Sequence, residues 1–318
     1  MGHSFVVTFH AVNAPRRDQA GDSADVEAVI QRVRLELHRE NVGGALELVE
    51  AADRAHPDAR YRAEAAQIRS FLAHLSDRDA YIAAQEGQYH GQRTRFGLKY
   101  LNRQFRMLTG RRTRKLVERR AIHPEFHLLE REILSVRPRH VVDGGAGEGG
   151  VALAVAARHP SIRVDAVEAS TTNVRIASGL NRYPNATFRQ GLIEELPQHF
   201  AAGSVDLVYS FAVLEHVRDV DQTIEAVLTV LRPGGRFCFV VPMKEFEAKG
   251  HIPPYAPRPG YCDHVRIFTE RELRERFDRF GDFVLHALDG PLKAEKTPPF
   301  LTVLAHGSFF VAFSKADA

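Results

Sequence analysis

A glycine-rich run and a carboxylate further along the chain carry the clearest chemical signal in this sequence. The run from Asp143 to Gly150 reads DGGAGEGG. Glycines in such a run let the backbone turn sharply and bring the amides of a helix N-terminus to the polar atoms of a ligand. Glu168 follows Gly149 by 19 residues, which suits a carboxylate that receives ribose hydroxyls at the end of the next strand. The pair predicts a site for a cofactor that contains a ribose.

The glycine spacing by itself fits two classes of cofactor. Gly145, Gly147 and Gly150 satisfy the G-x-G-x-x-G pattern of dinucleotide-binding proteins. The residues from Asp143 to Gly149 also satisfy D-x-G-x-G-x-G, which is a pattern of S-adenosylmethionine enzymes. Both classes use a carboxylate at the position of Glu168, so these residues alone leave the cofactor open.

The elements that must position this loop alternate in type after Pro138. Short apolar runs alternate there with segments of helical periodicity. The predicted strands are Val141 to Asp143, Val164 to Glu168, Thr187 to Arg189, Val205 to Phe211 and Arg236 to Val241. Such alternation is typical of a doubly wound α/β domain whose parallel sheet is covered on both faces.

The residues before this domain have a different pattern. A loose polar stretch around residues 15–22 predicts a flexible N-terminal segment, and apolar residues at helical spacing follow Asp25, starting with Val26. We therefore predict a flexible segment over 1–22, an all-helical extension over 23–122 and the α/β domain over 123–318. The extension is interpreted as a cap on the α/β domain.

Composition limits the class of protein. The chain has 318 residues, of which 44% are hydrophobic and 26% charged, as in ordinary globular proteins. No apolar run approaches the roughly 18 residues of a membrane-spanning helix, and the N-terminus lacks a signal-peptide pattern. Only Cys238 and Cys262 are present, too few for a disulfide scaffold or a zinc site of thiolates. We expect a cytoplasmic protein with no metal site and no transmembrane segment, and a homo-oligomer is compatible with the sequence.

Three later segments resemble consecutive motifs of the class I S-adenosylmethionine-dependent methyltransferases. They are Gly191 to Pro197, Ser204 to Val217 and Leu231 to Arg236, and nicotinamide enzymes have no reason to show this series. The resemblance covers about residues 128–313 and is to the small-molecule type of the family. It implies S-adenosyl-L-methionine as cofactor and a Rossmann-like, seven-stranded methyltransferase sheet. The last strand would be antiparallel and would come from residues 301–305 and 308–313.

The resemblance also implies a set of cofactor contacts. Asp143 and the glycines after it would border the methionine part, Glu168 would hold the ribose, and Ala169 and Ser170 would lie along the adenine. Leu192 stands where the family often has an acid, so the amide of Ile193 or the side chain of Glu194 would serve the adenine instead. The implied cofactor-binding residues are Asp143, Gly144, Gly145, Ala146, Gly147, Glu168, Ala169, Ser170, Leu192, Ile193, Ser210 and Phe211.

The chemistry of methyl transfer points to a small set of further candidates. The reaction is an in-line displacement at a sulfonium, and a base is needed only if the acceptor arrives protonated. His216 and His264 are the candidate catalytic residues, although His216 could instead bond the backbone and His264 could belong to a lid. The proline-rich segment over 243–264 is predicted to be that lid, with Tyr255 and Tyr261 facing the substrate; a plain surface loop is the alternative.

A basic stretch from Arg93 to Arg120 contains 11 Lys and Arg residues against one acid, Glu118. It indicates an anionic partner or a solvated helix face. We disfavour nucleic acid because no RNA-binding signature and no correctly placed adenine-methylation motif accompanies the stretch. We expect methyl transfer to an oxygen or nitrogen of a small-molecule or glycan acceptor, anionic ones included. The alternatives are an RNA- or DNA-directed methyltransferase and a non-catalytic partner protein with the methyltransferase fold.

Overall fold

The computed structural model describes residues 25–33, 36, 42–90, 110–243, 268–288 and 307–316. The chain divides into two compact units, Met1–Ser70 and Phe71–Ala318, so residue 122, the predicted end of the helical extension, falls inside the second unit. The predicted flexible segment over 1–22 lies outside the described residues. Within the described ranges, no helix is long and apolar enough to span a membrane.

The first unit is helical in its described residues. Residues 25–33 form helix α1, and α2 (Val42–Ala55) and α3 (Ala59–Ser76) follow, with α3 continuing into the second unit. Val26, Ile30 and Val33 are buried at helical spacing. Pro57 separates α2 from α3, since proline has no amide hydrogen with which to extend the helix.

The second unit alternates strands and helices from residue 140 onward, as the sequence predicted. Its elements are α4 (Arg78–His90), α5 (Arg111–Ala121), α6 (Pro124–Val136), β1 (His140–Gly144), α7 (Gly150–Arg158), β2 (Arg163–Glu168), α8 (Thr171–Leu180), β3 (Ala186–Gln190), a 3-10 helix (Ile193–Glu195), α9 (Leu196–His199), β4 (Val205–Phe211), α10 (Val220–Val230), β5 (Leu231–Pro242), α11 (Glu270–Phe277), β6 (Gly281–Leu288) and β7 (Ser308–Ser314).

The strands form one seven-stranded sheet in the order β3-β2-β1-β4-β5-β7-β6. The first five strands pair in parallel, whereas β7 is antiparallel to both β5 and β6. This arrangement confirms the predicted Rossmann-like methyltransferase fold with helices preceding it. Because β1 lies between β2 and β4, the chain order reverses there, and a crevice opens at the carboxyl ends of these strands.

Apolar side chains cover both faces of the sheet. One cluster includes Phe237, Phe239 and Phe313, with Phe277 from α11; the other includes Tyr209 with Phe126, Leu129 and Ile133 from α6. Central strands buried on both faces are typical of parallel sheets. Their close packing fixes the carboxyl ends of β1, β2 and β4, and therefore the origins of the loops that follow them.

Candidate active site

The glycine loop joins β1 to α7 at the carboxyl edge of the sheet. Gly145 and Gly147 have φ angles of 90° and 55°, in the region where other residues are strained. A Cβ on Gly145 would lie 2.3 Å from Cγ2 of Val213, whereas a Cβ on Gly147 would meet no described atom within 4 Å. Among the described residues, the loop is therefore packed against protein at Gly145 and open in front of Gly147.

Three amides of this loop are bonded within the protein. Those of Gly145 and Ala146 donate to the carbonyl of Val167 at 2.8 and 3.1 Å. The amide of Gly147 donates to Glu168 Oε2 at 2.8 Å. Gly144, the last residue of β1, is covered by Ile193, whose Cδ1 would lie 2.7 Å from an added Cβ. These contacts fix the shape of the loop. Because the three N–H groups already donate within the protein, a ligand would pack against the surface of the loop more than it would accept hydrogen bonds from these amides.

Glu168 ends β2 with its carboxylate turned towards the glycine loop. Besides the Gly147 amide, it accepts from the amide of Ser170 at 3.0 Å and from Nδ2 of Asn173 at 3.3 Å, both through Oε1. Burial raises the pKa of Glu168, and the bonds from Ser170 and Gly147 oppose that rise. Since a carboxylate offers about four acceptor positions, Oε2 keeps one for a further donor such as a hydroxyl.

Asp143 lies behind the same loop in β1. It is 2% exposed, and its Oδ2 has no hydrogen-bond partner among the described residues. Burial raises its pKa to about 7, against the influence of the Tyr209 hydroxyl, and the negative charge of Glu168 adds to the rise. A positive charge placed beside these two carboxylates would favour their ionised forms.

The predicted adenine side is built from the ends of β2 and β3. Ser170 caps α8, because its hydroxyl accepts from the Asn173 amide at 3.1 Å, and the Ala169 carbonyl accepts from Gln190 Nε2 at 3.3 Å. Leu192 is buried, and Ile193 begins the 3-10 helix. The amide at such a helix start has no carbonyl partner within the helix, which suits the role expected of Ile193.

Glu194, the alternative adenine contact, is held below the surface. Its carboxylate lies 3.9 Å from the Arg218 guanidinium, and its Oε1 has no hydrogen-bond partner among the described residues. Burial raises the pKa of Glu194. The side chain thus has an acceptor atom to spare, close to the start of the 3-10 helix.

The end of β4 forms the remaining wall. Ser210 is fully buried, and its hydroxyl donates to the Gly144 carbonyl at 2.7 Å, so it ties β4 to β1 and does not point freely into the crevice. Phe211 is half-buried and packs edge-on against Tyr209, with 5.7 Å between ring centroids. Ala212 has a φ of 56°, which is a strained conformation for alanine.

Of the two candidate catalytic residues, only His216 lies within the described ranges. His216 is half-buried in the turn after β4, and its amide donates to the Val213 carbonyl at 2.8 Å. His264, Tyr255 and Tyr261 lie outside the described residues, as does the lid segment beyond Met243. The sequence did not predict three contacts that α4 makes with the loops after β2, β3 and β4, through Arg78, Tyr81 and Glu86. Their partners are far away in sequence, and no local pattern marks them.

The described residues fit S-adenosylmethionine. The open surface at Gly147 can receive the methionine part, and the spare position on Glu168 Oε2 can accept from a ribose hydroxyl. The buried carboxylates of Asp143 and Glu168 suit the positive charges of the ammonium and sulfonium groups. The arrangement places these features at one sheet edge.

Comparison with known proteins identifies the kind of domain that contains this site. The family model described as Methyltransferase domain matches residues 142–239, which include the glycine loop, Glu168 and β4. This chain carries a class I S-adenosylmethionine-dependent methyltransferase domain. The cofactor of the methyltransferase domain is S-adenosyl-L-methionine.

Curated relatives resemble this methyltransferase domain over part of their length. A probable S-adenosylmethionine-dependent methyltransferase of Mycolicibacterium smegmatis is 35% identical over 45% of this chain and 51% of the relative. Trans-aconitate 2-methyltransferase of Deinococcus radiodurans is 36% identical over 35% of this chain and 41% of the relative. The chain thus spans about half the length of these relatives or less. The crystal structure of the YcgJ protein of Bacillus subtilis matches 61% of this chain and 99% of its own, with 21% identity and a TM-score of 0.45.

Proposed function

We propose that this protein transfers a methyl group from S-adenosylmethionine to an oxygen or nitrogen of a small-molecule or saccharide acceptor. The observation that carries the proposal is the pairing of the open glycine loop with Glu168, whose Oε2 lies 2.8 Å from the Gly147 amide. The loop and the carboxylate meet at the reversal point of the sheet, where ligands bind in doubly wound domains.

Each wall of the site has a role in this proposal. S-adenosylmethionine supplies a methyl group on a positively charged sulfur when it is bound. Glu168 would hold the ribose, and the surface at Gly147 would hold the methionine part. Ala169 and Ser170 would lie along the adenine, and the amide of Ile193 would contact it beside Leu192. Phe211 and Ala212 would border the space for the acceptor. These residues act by aligning the reactants and excluding water, since the displacement itself needs little more.

A general base enters only for a protonated acceptor. His216 lies in the turn after β4, and His264 is the last residue of the proposed lid in sequence; we propose these two as the candidates for that role. Tyr255 and Tyr261 are proposed to contact the acceptor from the lid. The cytoplasm is the proposed compartment.

The acceptor class rests on two considerations. One relative is by its name a methyltransferase of trans-aconitate, a small carboxylic acid, which supports a small acceptor that can be anionic. The basic stretch before the domain also suits an anion. In α5, Arg112 pairs with Glu148 of the glycine loop at 3.2 Å, so part of this positive charge lies beside the site.

A nucleic-acid acceptor is the second candidate, on one observation. Arg111, Arg114 and Lys115 of α5 are exposed, and exposed cations on one helix can bind phosphates. Retention on single-stranded RNA or on DNA should then fall steeply with salt and depend on these side chains. Retention that is weak at low salt would reject this candidate.

Calorimetry with S-adenosylhomocysteine tests the cofactor assignment. We expect the full chain to bind S-adenosylhomocysteine and not NADH, and we expect Glu168→Gln to weaken binding about 10- to 100-fold, since a hydrogen bond to a charged group contributes about 1.5–3 kcal/mol. Glu132→Gln is the matched control, because Glu132 accepts a hydrogen bond from Arg236 at 2.7 Å, and Arg236 pairs with Leu207 near the start of β4, away from the carboxyl edge. A preference for NADH would overturn the cofactor, and unchanged affinity in Glu168→Gln would overturn the role of Glu168.

A further inference from the structure

Helix α4 contacts the loops that follow β2, β3 and β4. The contacts come from Arg78, Tyr81 and Glu86, which fall on one side of a helix with 3.6 residues per turn. Their partners are Thr171 and Thr172 after β2, Glu195 after β3 and His216 after β4. All of these residues belong to the second compact unit. One helix therefore spans three separate loops at the edge of the sheet where the cofactor site lies.

Arg78 holds the loop after β3. Its Nη2 donates to Glu195 Oε2 at 2.9 Å and its Nε donates to Oε1, and this forked pair lowers the pKa of Glu195. Glu195 Oε2 also accepts from the Leu192 amide at 3.2 Å. Arg78 therefore acts on the predicted adenine side through one carboxylate.

Glu86 holds the loop after β2. Its Oε1 accepts from the Thr172 amide at 3.0 Å and from the Thr171 hydroxyl, at the first turn of α8, where the helix dipole favours a negative charge. Although burial raises the pKa of Glu86, the bonds from Thr171 and Thr172 lower it to about 2. Asn173 in the same turn donates to Glu168, so Glu86 is linked to the predicted ribose contact through this turn.

Tyr81 holds the turn after β4. Its side chain is buried, and its hydroxyl donates to the His216 carbonyl at 3.1 Å. The His216 amide closes that turn onto Val213, and Val213 is the residue that packs over Gly145. Tyr81 therefore acts on the glycine loop through the turn from Val213 to His216.

We propose that α4 is a positioning helix for the cofactor site, in which Arg78, Tyr81 and Glu86 hold the three loops in the geometry that binds the cofactor. The ligand named here rests on the proposed function. Docking of α4 and binding of the cofactor then stabilise each other. Such coupling is reciprocal. The factor by which affinity falls when α4 no longer docks therefore equals the factor by which bound ligand raises the docking equilibrium constant of α4.

The first test measures affinity in the full chain. S-adenosylhomocysteine is titrated into wild type, Tyr81→Phe, and a triple variant with Arg78→Lys, Tyr81→Phe and Glu86→Gln. We expect up to about a fivefold loss for Tyr81→Phe, equivalent to the roughly 1 kcal/mol of one neutral hydrogen bond, and about 10- to 100-fold for the triple variant. Tyr61→Phe is the matched control, since it also alters a buried tyrosine, in the other compact unit, and should bind as wild type.

The second test measures backbone hydrogen exchange, which separates positioning from simple stabilisation. S-adenosylhomocysteine should slow exchange in α4 of the wild type by about the factor by which the triple variant loses affinity. The proposal is overturned if the variants lower the free energy of unfolding, bind S-adenosylhomocysteine as tightly as wild type, and the ligand leaves exchange in α4 unchanged. The helix would then have only a structural role.

The same experiments keep the two proposals apart. Should wild type fail to bind S-adenosylhomocysteine, the cofactor assignment fails, and exchange without ligand decides the role of α4. Faster exchange of residues 168–173, 192–195 and 213–216 in the triple variant supports the holding of the three loops. Equal exchange in wild type and the triple variant overturns it.

Discussion

Gly147→Ala tests whether the open face of the glycine loop is a ligand surface. Gly147 has a φ of 55°, and a Cβ there would meet no described atom within 4 Å. Gly203, in the exposed turn before β4, has a φ of 67°, and its added Cβ would meet nothing described nearer than 3.9 Å. Alanine is strained equally in both places, so we expect each variant to lose about 1–2 kcal/mol of unfolding free energy in urea titrations.

The two glycine variants should differ in ligand binding. A methyl group at position 147 would enter the space in front of the loop, and an extra methyl group in a filled, well-packed site costs about 1–3 kcal/mol. By calorimetry, Gly147→Ala should therefore bind S-adenosylhomocysteine about 5- to 150-fold more weakly than wild type. Gly203→Ala should bind as wild type. Equal affinity in the two variants would refute the assignment of this space to the ligand.

Acidification, one helix cap and one thiol offer independent tests. Burial raises the pKa of Asp165, but hydrogen bonds with His140 and Thr187 lower it below the unfolded value of 3.8. The free energy of unfolding should therefore fall as the pH drops below about 4. An equally steep fall in Asp165→Asn would contradict the role of Asp165. Thr269→Ala should cost about 1 kcal/mol of unfolding free energy by removing the cap of α11, and a similar loss in Thr229→Ala, inside α10, would argue against capping. Burial raises the pKa of the Cys238 thiol well above its usual value, so in Cys262→Ser iodoacetamide should label Cys238 only as fast as the protein unfolds; prompt labelling of the folded protein would contradict its burial.

Local patterns predicted most of the fold. The alternation of apolar runs indicated the parallel strands. Thr269 with Glu272 three residues later is the sequence pattern of a capping box, and the structure contains it: the Thr269 amide donates to Glu272 at 2.7 Å. Such features depend on residues within a turn or a strand of one another, so the sequence displays them directly. The strand β6 was not predicted, and its burial pattern is mixed without strict alternation, which leaves little period-2 signal to detect.

The candidate site was predictable as a set of residues more than as a set of contacts. The motifs indicated that the glycine loop, Glu168 and the ends of β3 and β4 share one edge, because the carboxyl ends of parallel strands meet there. They did not indicate that the Ser210 hydroxyl donates to Gly144. Nor did they show that Gly145 packs against Val213 while no described atom covers Gly147. Both depend on which side chains face the loop from elements further along the chain.

The sequence by itself determined the class of fold, the family motifs and the position of the glycine loop and its carboxylate. Only the tertiary structure decided how the residues before the domain are used. Within the basic stretch, Arg112 pairs with Glu148, whereas Arg114 stays exposed beside Glu118. Arg78 meets Glu195 across 117 residues of sequence. Contacts of this kind depend on how whole helices dock onto the sheet, and that docking is set by the packing of side chains that no local period encodes.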